Sequence, residues 1–122
     1  MQEHIQNELA SFIANCDWEK IAPHFKEDAA YRVLDWIGCA VAGEHYPQVE
    51  IAQKYFIENG DQGNSTVIGH QTKCSPRTAA FLNGIAGHVC ELDDGHRTAI
   101  GHPGSIAVPT ALALGEHLNA SG

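Results

Sequence analysis

At 122 residues with 43% hydrophobic side chains, the chain is long enough to bury one modest core, which excludes low-complexity disorder and predicts one domain or a piece of a larger one. Seven Lys and Arg against fifteen Asp and Glu give a formal charge of −8, which repels phosphate backbones and anionic lipid, so neither nucleic acid nor a membrane is an expected partner. The acidic average leaves room for an anionic small molecule, because a site needs only a few local cations and Lys73, Arg77 and Arg97 supply them.

The periodicity is helical from the start. Ile5, Leu9, Phe12, Ile13 and Cys16 recur at helical spacing, and Val33, Leu34, Ile37, Ala40 and Val41 do so again after Pro23, a residue suited to opening a helix. Gly43 is placed to close this second helix, and a third is predicted from Pro47 to Asn59 with Gly60 as its stop. The stretch DQGNSTVIGHQTK reads as an extended connection around the β-branched piece Thr66 to Ile68. Ser75 followed by Pro76 reads as a cap and first turn, and the stripe Ala79, Leu82, Ile85, Ala86 and Val89 carries a fourth helix that delivers His88 to Asp94. Its small residues (Ala79, Ala80, Gly84, Ala86, Gly87) allow another helix to approach closely. After the loop Gly95 to Gly104, Ser105 is expected to cap a last helix with Pro109 near its first turn. That helix is apolar on nearly every side and is expected in the middle of a helical assembly, which makes the chain the front portion of a longer protein or half of a self-associated one. No internal repeat is visible.

The four cysteines, Cys16, Cys39, Cys74 and Cys90, are far apart with no CxxC pair and no secretory leader before them, so reduced thiols in a cytoplasmic protein are expected. Cys39 and Cys90 read as small buried hydrophobes. The longest apolar runs fall short of the roughly 20 residues that span a bilayer, and a soluble protein is expected.

Chemistry concentrates between His88 and Ser105, HVCELDDGHRTAIGHPGS, where His88, Glu91, Asp93, Asp94 and His102 surround Arg97 and a turn-forming glycine. Imidazoles and carboxylates held this close are the raw material of general acid–base catalysis. His102, between Gly101 and Pro103, is the expected proton-transfer residue, because its backbone is pinned on one side and open to close approach on the other. Asp93 and Asp94 are adjacent and point in different directions, so one can orient the base or bind substrate while the other caps loop amides; both also fit a simple turn role before Gly95. Arg97 offers a planar fork for a substrate carboxylate, with Glu91 and His96 as further substrate-binding candidates, His96 also fitting plain solvent exposure. His88 fits a hydrogen-bonded core histidine, and His4, His24, His45, His70 and His117 read as isolated surface or loop residues. A metal set of His88, Asp93, His96 and His102 matches neither HExxH nor paired CxxC spacing, and GEHYP and GDQGN match no nucleotide-binding loop.

Three blocks in succession, DWIGCAVAG (35–43), AAFLNGIAGHVCELDDGHR (79–97) and GHPGSIAVPTALALGE (101–116), resemble the amino-terminal part of the MmgE/PrpD family, which includes 2-methylcitrate dehydratase and cis-aconitate decarboxylase. The resemblance implies a mainly α fold: a helical domain built from both ends of a longer chain, with a smaller α+β lid domain between. Residues 1–122 would then be the first segment of that helical domain, without the lid and the carboxy-terminal helices. It further implies a homodimer, no metal or organic cofactor, small di- or tricarboxylic acid substrates, and a site to which Glu91, Asp93, Asp94 and His102 contribute. Where cis-aconitate decarboxylases resemble D-x-D-D-T, this chain has Glu91, Leu92, Asp93, Asp94 and Gly95, so Glu replaces the first Asp and a substrate-contacting hydroxyl is missing. The function these features lead to is a dehydratase-type lyase, incomplete within this chain. The alternatives are a non-catalytic helical dimerisation piece and a metal-dependent hydrolase.

Overall fold

The structure, a computed structural model, describes residues 2–121, with side chains from His4 onward. The chain divides into two compact units, one ending at Ala30 and one beginning at Tyr31. The first holds α1 (Gln2–Ala14), a 3-10 turn (Trp18–Lys20) and the opening of α2 (Pro23–Gly43). The Asp17 carboxylate accepts the Glu19 N–H at 3.1 Å to cap the short turn, and the Lys26 ammonium stands 4.7 Å from the centre of the Trp18 ring. The predicted stripe of α1 is helical, yet Ile5, Leu9, Phe12 and Ile13 are all exposed.

The second unit contains the rest of α2, then α3 (Pro47–Glu58), α4 (Pro76–His88) and α5 (Gly104–Leu118). Among the described residues there is no β-strand, only isolated bridges at Ser65–Cys74 and His96–Gly101. The fold is mainly α, as the periodicity predicts.

The core forms around α4. Leu82 and Ala79 pack with Val67, Cys74 and Ala113, while Ala86 packs with Trp36, Ala40 and Val49. Leu82, Val49 and Val67 are fully buried, a contribution of about 1.5–3 kcal/mol each. The small residues of α4 serve the close approach expected of them. A methyl group at Gly87 would enter the Trp36 indole, one at Gly43 of α2 would strike the Ala86 carbonyl, and one at Gly84 would lie 3.1 Å from the Ser105 carbonyl of α5.

The connection between α3 and α4 is extended, and a side chain of α4 holds it. Buried Asn83 accepts the Ile68 N–H at 2.8 Å and donates to the Thr66 carbonyl at 2.9 Å, doing for this segment what a neighbouring strand would do. On the α5 side, Ser65 donates to the Ala113 carbonyl at 2.7 Å, and Glu116 takes the Thr66 N–H, the Thr66 hydroxyl and the Lys73 ammonium. Those donors bring the Glu116 carboxyl down to about 2.

Of four details, two differ from the sequence-based expectation: the cap of α5 and the exposure of His88. α4 ends at His88 with Val89 as its C-cap, where its apolar stripe ends; Glu91 takes a left-handed conformation (φ 50°) and its N–H turns back to the His88 carbonyl at 2.8 Å, so residues 91–94 lie beyond the helix. Ser105 is not the cap of α5: the helix begins at Gly104, and the cap comes from Asp94. α5 is not enclosed by this chain, in keeping with an apolar helix whose neighbours lie outside residues 1–122: only Pro109 and Ala113 are buried, while Ile106, Leu112, Leu114 and Leu118 are exposed. His88 is not a core residue, with 46% of its side chain exposed. All four cysteines are free thiols; Cys39 and Cys74 are buried, Cys90 is half-buried and Cys16 is exposed. No helix among the described residues is long and apolar enough to cross a membrane.

Candidate active site

The end of α4, the turn after it and the start of α5 bring three titratable side chains together. Asp93 sits between two imidazoles with its carboxylate fully buried. His88 Nδ1 lies 3.1 and 3.2 Å from the two carboxylate oxygens, and Ser105 Oγ donates to Oδ2 at 2.5 Å. An ionised carboxylate only accepts, so the Asp93 contact assigns the proton of neutral His88 to Nδ1. His102 Nδ1 is 3.3 Å from the same Oδ1 but out of line for a hydrogen bond, and it is buried without another partner. We therefore take His88 and Ser105 as the true partners of Asp93, and His102 as a close electrostatic neighbour. Burial pushes the Asp93 carboxyl up, but the hydrogen bonds from Ser105 and His88, together with the nearby imidazole, win and hold it below its ordinary value.

Asp94 faces elsewhere. Its Oδ1 accepts the Gly104 N–H at 2.9 Å, closing one of the orphan amides at the α5 N-terminus. A side chain at position 104 would collide with this carboxylate, which gives Gly104 a reason to be glycine. Two adjacent aspartates thus clasp the start of α5 from two directions, one through Ser105 and one through Gly104.

The two rings, 4.6 Å apart between centroids and tilted by 59°, line a cleft of about 650 Å³ between α4 and α5. Phe81, Ile85 and Ile106 make much of its wall. A smaller depression of about 330 Å³ brings His102 together with His96 and Arg97.

Of the residues singled out from sequence, the structure joins His102 and Asp93, assigns Asp94 to capping, and puts Arg97 and His96 beside His102. Arg97 is exposed, with no ion pair among the described residues; His96 accepts the Ala99 N–H on Nδ1 at 3.0 Å, and its own N–H bonds the Gly101 carbonyl at 2.8 Å. Glu91 is exposed in the turn and makes no side-chain bond to the cluster. Sequence reasoning missed Ser105 as the partner of Asp93, and gave His88 a core role; the interval from Ser105 back to Asp93 carries no local pattern that would reveal the bond.

His88, Asp93 and His102 also have the donor types of a metal site, with one ligand atom from each within 4.8 Å of the others. His96, the fourth candidate, does not join them. Ser105 and His88 already hydrogen-bond the Asp93 carboxylate, whose oxygens keep further lone pairs.

Comparison with known proteins agrees with this part of the chain. Residues 7–122 match the model of the MmgE/PrpD N-terminal domain. The chain is 31% identical over 113 residues to the cis-aconitate decarboxylase-like protein oryM of Aspergillus oryzae, covering 93% of this chain and 23% of that protein. It is 33% identical over 87 residues to the cis-aconitate decarboxylase of Homo sapiens, covering 70% of this chain and 18% of that protein. The chain thus spans about a quarter or less of the length of these relatives, and by its sequence match and its helical fold it belongs to the MmgE/PrpD family.

Proposed function

We propose that this chain supplies part of the active site of a lyase that acts on a small di- or tricarboxylic acid by acid–base elimination, releasing water and leaving an alkene. The observation that carries the reading is the fully buried Asp93 carboxylate beside two imidazoles that open on one cleft. A buried carboxylate fixes rings in place, and rings fixed beside a cleft are what proton transfer to a bound substrate requires. His102 transfers a proton beside the charge of the Asp93 carboxylate, and Arg97, exposed and without an ion pair among the described residues, receives a substrate carboxylate. The relatives named for cis-aconitate decarboxylation support lyase chemistry, while Gly95 offers no hydroxyl to a substrate.

The reading extends to the whole protein in which the chain acts: a helical domain of which residues 1–122 are the first segment, a lid domain over the site, no resident metal or organic cofactor, a second copy of the protein as partner, and a cytoplasmic setting. A non-catalytic helical role is the second reading, and the exposed apolar residues of α5 favour it.

The experiment is an absorbance assay for alkene formation from 2-methylcitrate, citrate and related hydroxy acids, run on the full-length protein in which this chain supplies part of the site. The His102→Ala variant is expected to lose roughly 10²- to 10⁴-fold in turnover, the usual contribution of an acid–base group. Wild-type turnover in that variant removes His102 from the chemistry, and no turnover of any such acid by the unaltered protein favours the helical reading.

A further inference from the structure

We infer that His88 is a second proton-transfer residue of this site, taking a proton from substrate carbon on its Nε2 while His102 serves the departing oxygen. The inference rests on the lyase reading above. Its first support is the tautomer: with Nδ1–H directed at both Asp93 oxygens, Nε2 carries the lone pair, and no group among the described residues bonds it. A histidine that merely filled a core would have both nitrogens satisfied inside the protein. His88 instead lines the α4–α5 cleft with nearly half of its side chain exposed.

The other polar groups of that cleft are ruled out one by one. Ser105 gives its hydroxyl proton to Asp93 at 2.5 Å, and Thr110 gives its own to the Ile106 carbonyl at 2.6 Å. The remaining polar side chain, Gln48, is an amide that neither takes nor gives up a proton near neutral pH. Among the described residues lining the cleft, proton transfer therefore falls to His88 and His102.

Elimination of water makes two demands on adjacent atoms. The C–H bond breaks, its electron pair becomes the new C=C bond and its proton goes to His88 Nε2. The neighbouring C–O bond breaks, its pair stays with oxygen, and a proton from His102, which enters the step as the imidazolium and leaves it neutral, completes a water molecule. Afterwards His88 holds one proton more and His102 one fewer, and exchange with solvent resets both. Two rings 4.6 Å apart on one cleft suit two neighbouring substrate atoms. Loss of carbon dioxide requires protonation at one carbon only and would leave one ring idle. His88 is also the better positioned ring, since its bond to Asp93 is in line whereas that of His102 is not.

The test uses the active protein with a hydroxy acid that it turns over, and with the analogue of that acid carrying fluoride in place of the hydroxyl, because fluoride leaves without a proton. His88→Gln, whose amide can still donate to Asp93, is expected to lose at least 100-fold in kcat on both compounds with KM changed less than threefold. His102→Gln is expected to lose as much on the hydroxy acid but to recover at least tenfold on the fluoro analogue. A His88→Gln enzyme within threefold of the parent kcat, or one that fluoride rescues, overturns the inference. Should the variant fail to fold, ring nitrogen NMR of the unaltered protein decides: a His88 ring with its proton on Nδ1 that responds to added acid supports the role, and a ring with its proton on Nε2 or silent at saturation overturns it. An unaltered protein that eliminates nothing overturns the lyase reading and this inference together, whereas elimination that survives His88→Gln overturns the inference alone.

Discussion

Two polar clusters in the second unit use nearly the same side chains and do opposite things with them. Around Glu116, a carboxylate, two Thr66 donors and Lys73 bond one another, while His117 Nδ1 meets Asn64 at 3.0 Å beside them. Around Asp93, a carboxylate, a serine and two imidazoles also meet, but each ring keeps an exposed portion on a cleft. The Glu116 carboxylate is partly open to solvent and its donors close on it to fasten a loop to α5; the Asp93 carboxylate is sealed and its partners face outward. Composition therefore does not separate a fastening from a candidate site. What separates them is which member of the cluster is buried.

The difference can be broken first at Asp93. Asp93→Ala strands the Ser105 hydroxyl and the His88 N–H at a buried position, and a loss of about 2–3 kcal/mol in unfolding free energy is expected by urea titration. A loss under 0.5 kcal/mol would show that the carboxylate contributes nothing to holding α5.

Glu116 is expected to give a smaller effect with a distinct pH signature. Its folded-state value of about 2 lies below its ordinary value of 4.5, so its stabilisation is fully present above the ordinary value and disappears as pH falls through about 2. Glu116→Gln should lower the melting temperature at pH 6, and the gap from the parent should close between pH 4.5 and 2. A gap that stays constant over that range would mean that shape, not charge, fastens the loop.

The smallest expected effect sharpens the contrast from the other side. Arg97→Ala removes an exposed side chain with no ion pair among the described residues, and stability should stay within about 0.5 kcal/mol of the parent. Affinity for a carboxylic acid substrate should fall, read as a raised KM with little change in kcat. A protein that loses stability and keeps its KM would make Arg97 structural.

Much of the helical framework is legible because its signals are local. Pro23, Pro47 and Pro76 each open a helix, and Ser75 caps the fourth by accepting the Thr78 N–H. The errors all concern partners distant in sequence. Ser105 has the right residue type for a cap, but the carboxylate of Asp94, ten residues earlier, reaches the Gly104 amide instead. Asn83 lies in a helix with nothing local to mark it, and its role appears only when residues 66–68 lie beside it. α5 is apolar as the sequence says, but pattern alone cannot supply the neighbours that would enclose it. Within the candidate site, the grouping of His102 with Asp93 is legible from residue type and crowding, whereas the Ser105 contact and the exposure of His88 need three dimensions.

The bond between the His96 N–H and the Gly101 carbonyl pinches the intervening loop shut at its base. Asp94 and Gly104 are tied to each other independently of what that loop contains. For protein engineering, this makes residues 98–100, past Arg97, an insertion point: a peptide tag or a longer specificity loop can be grafted there while the distances among His88, Asp93 and His102 are set elsewhere.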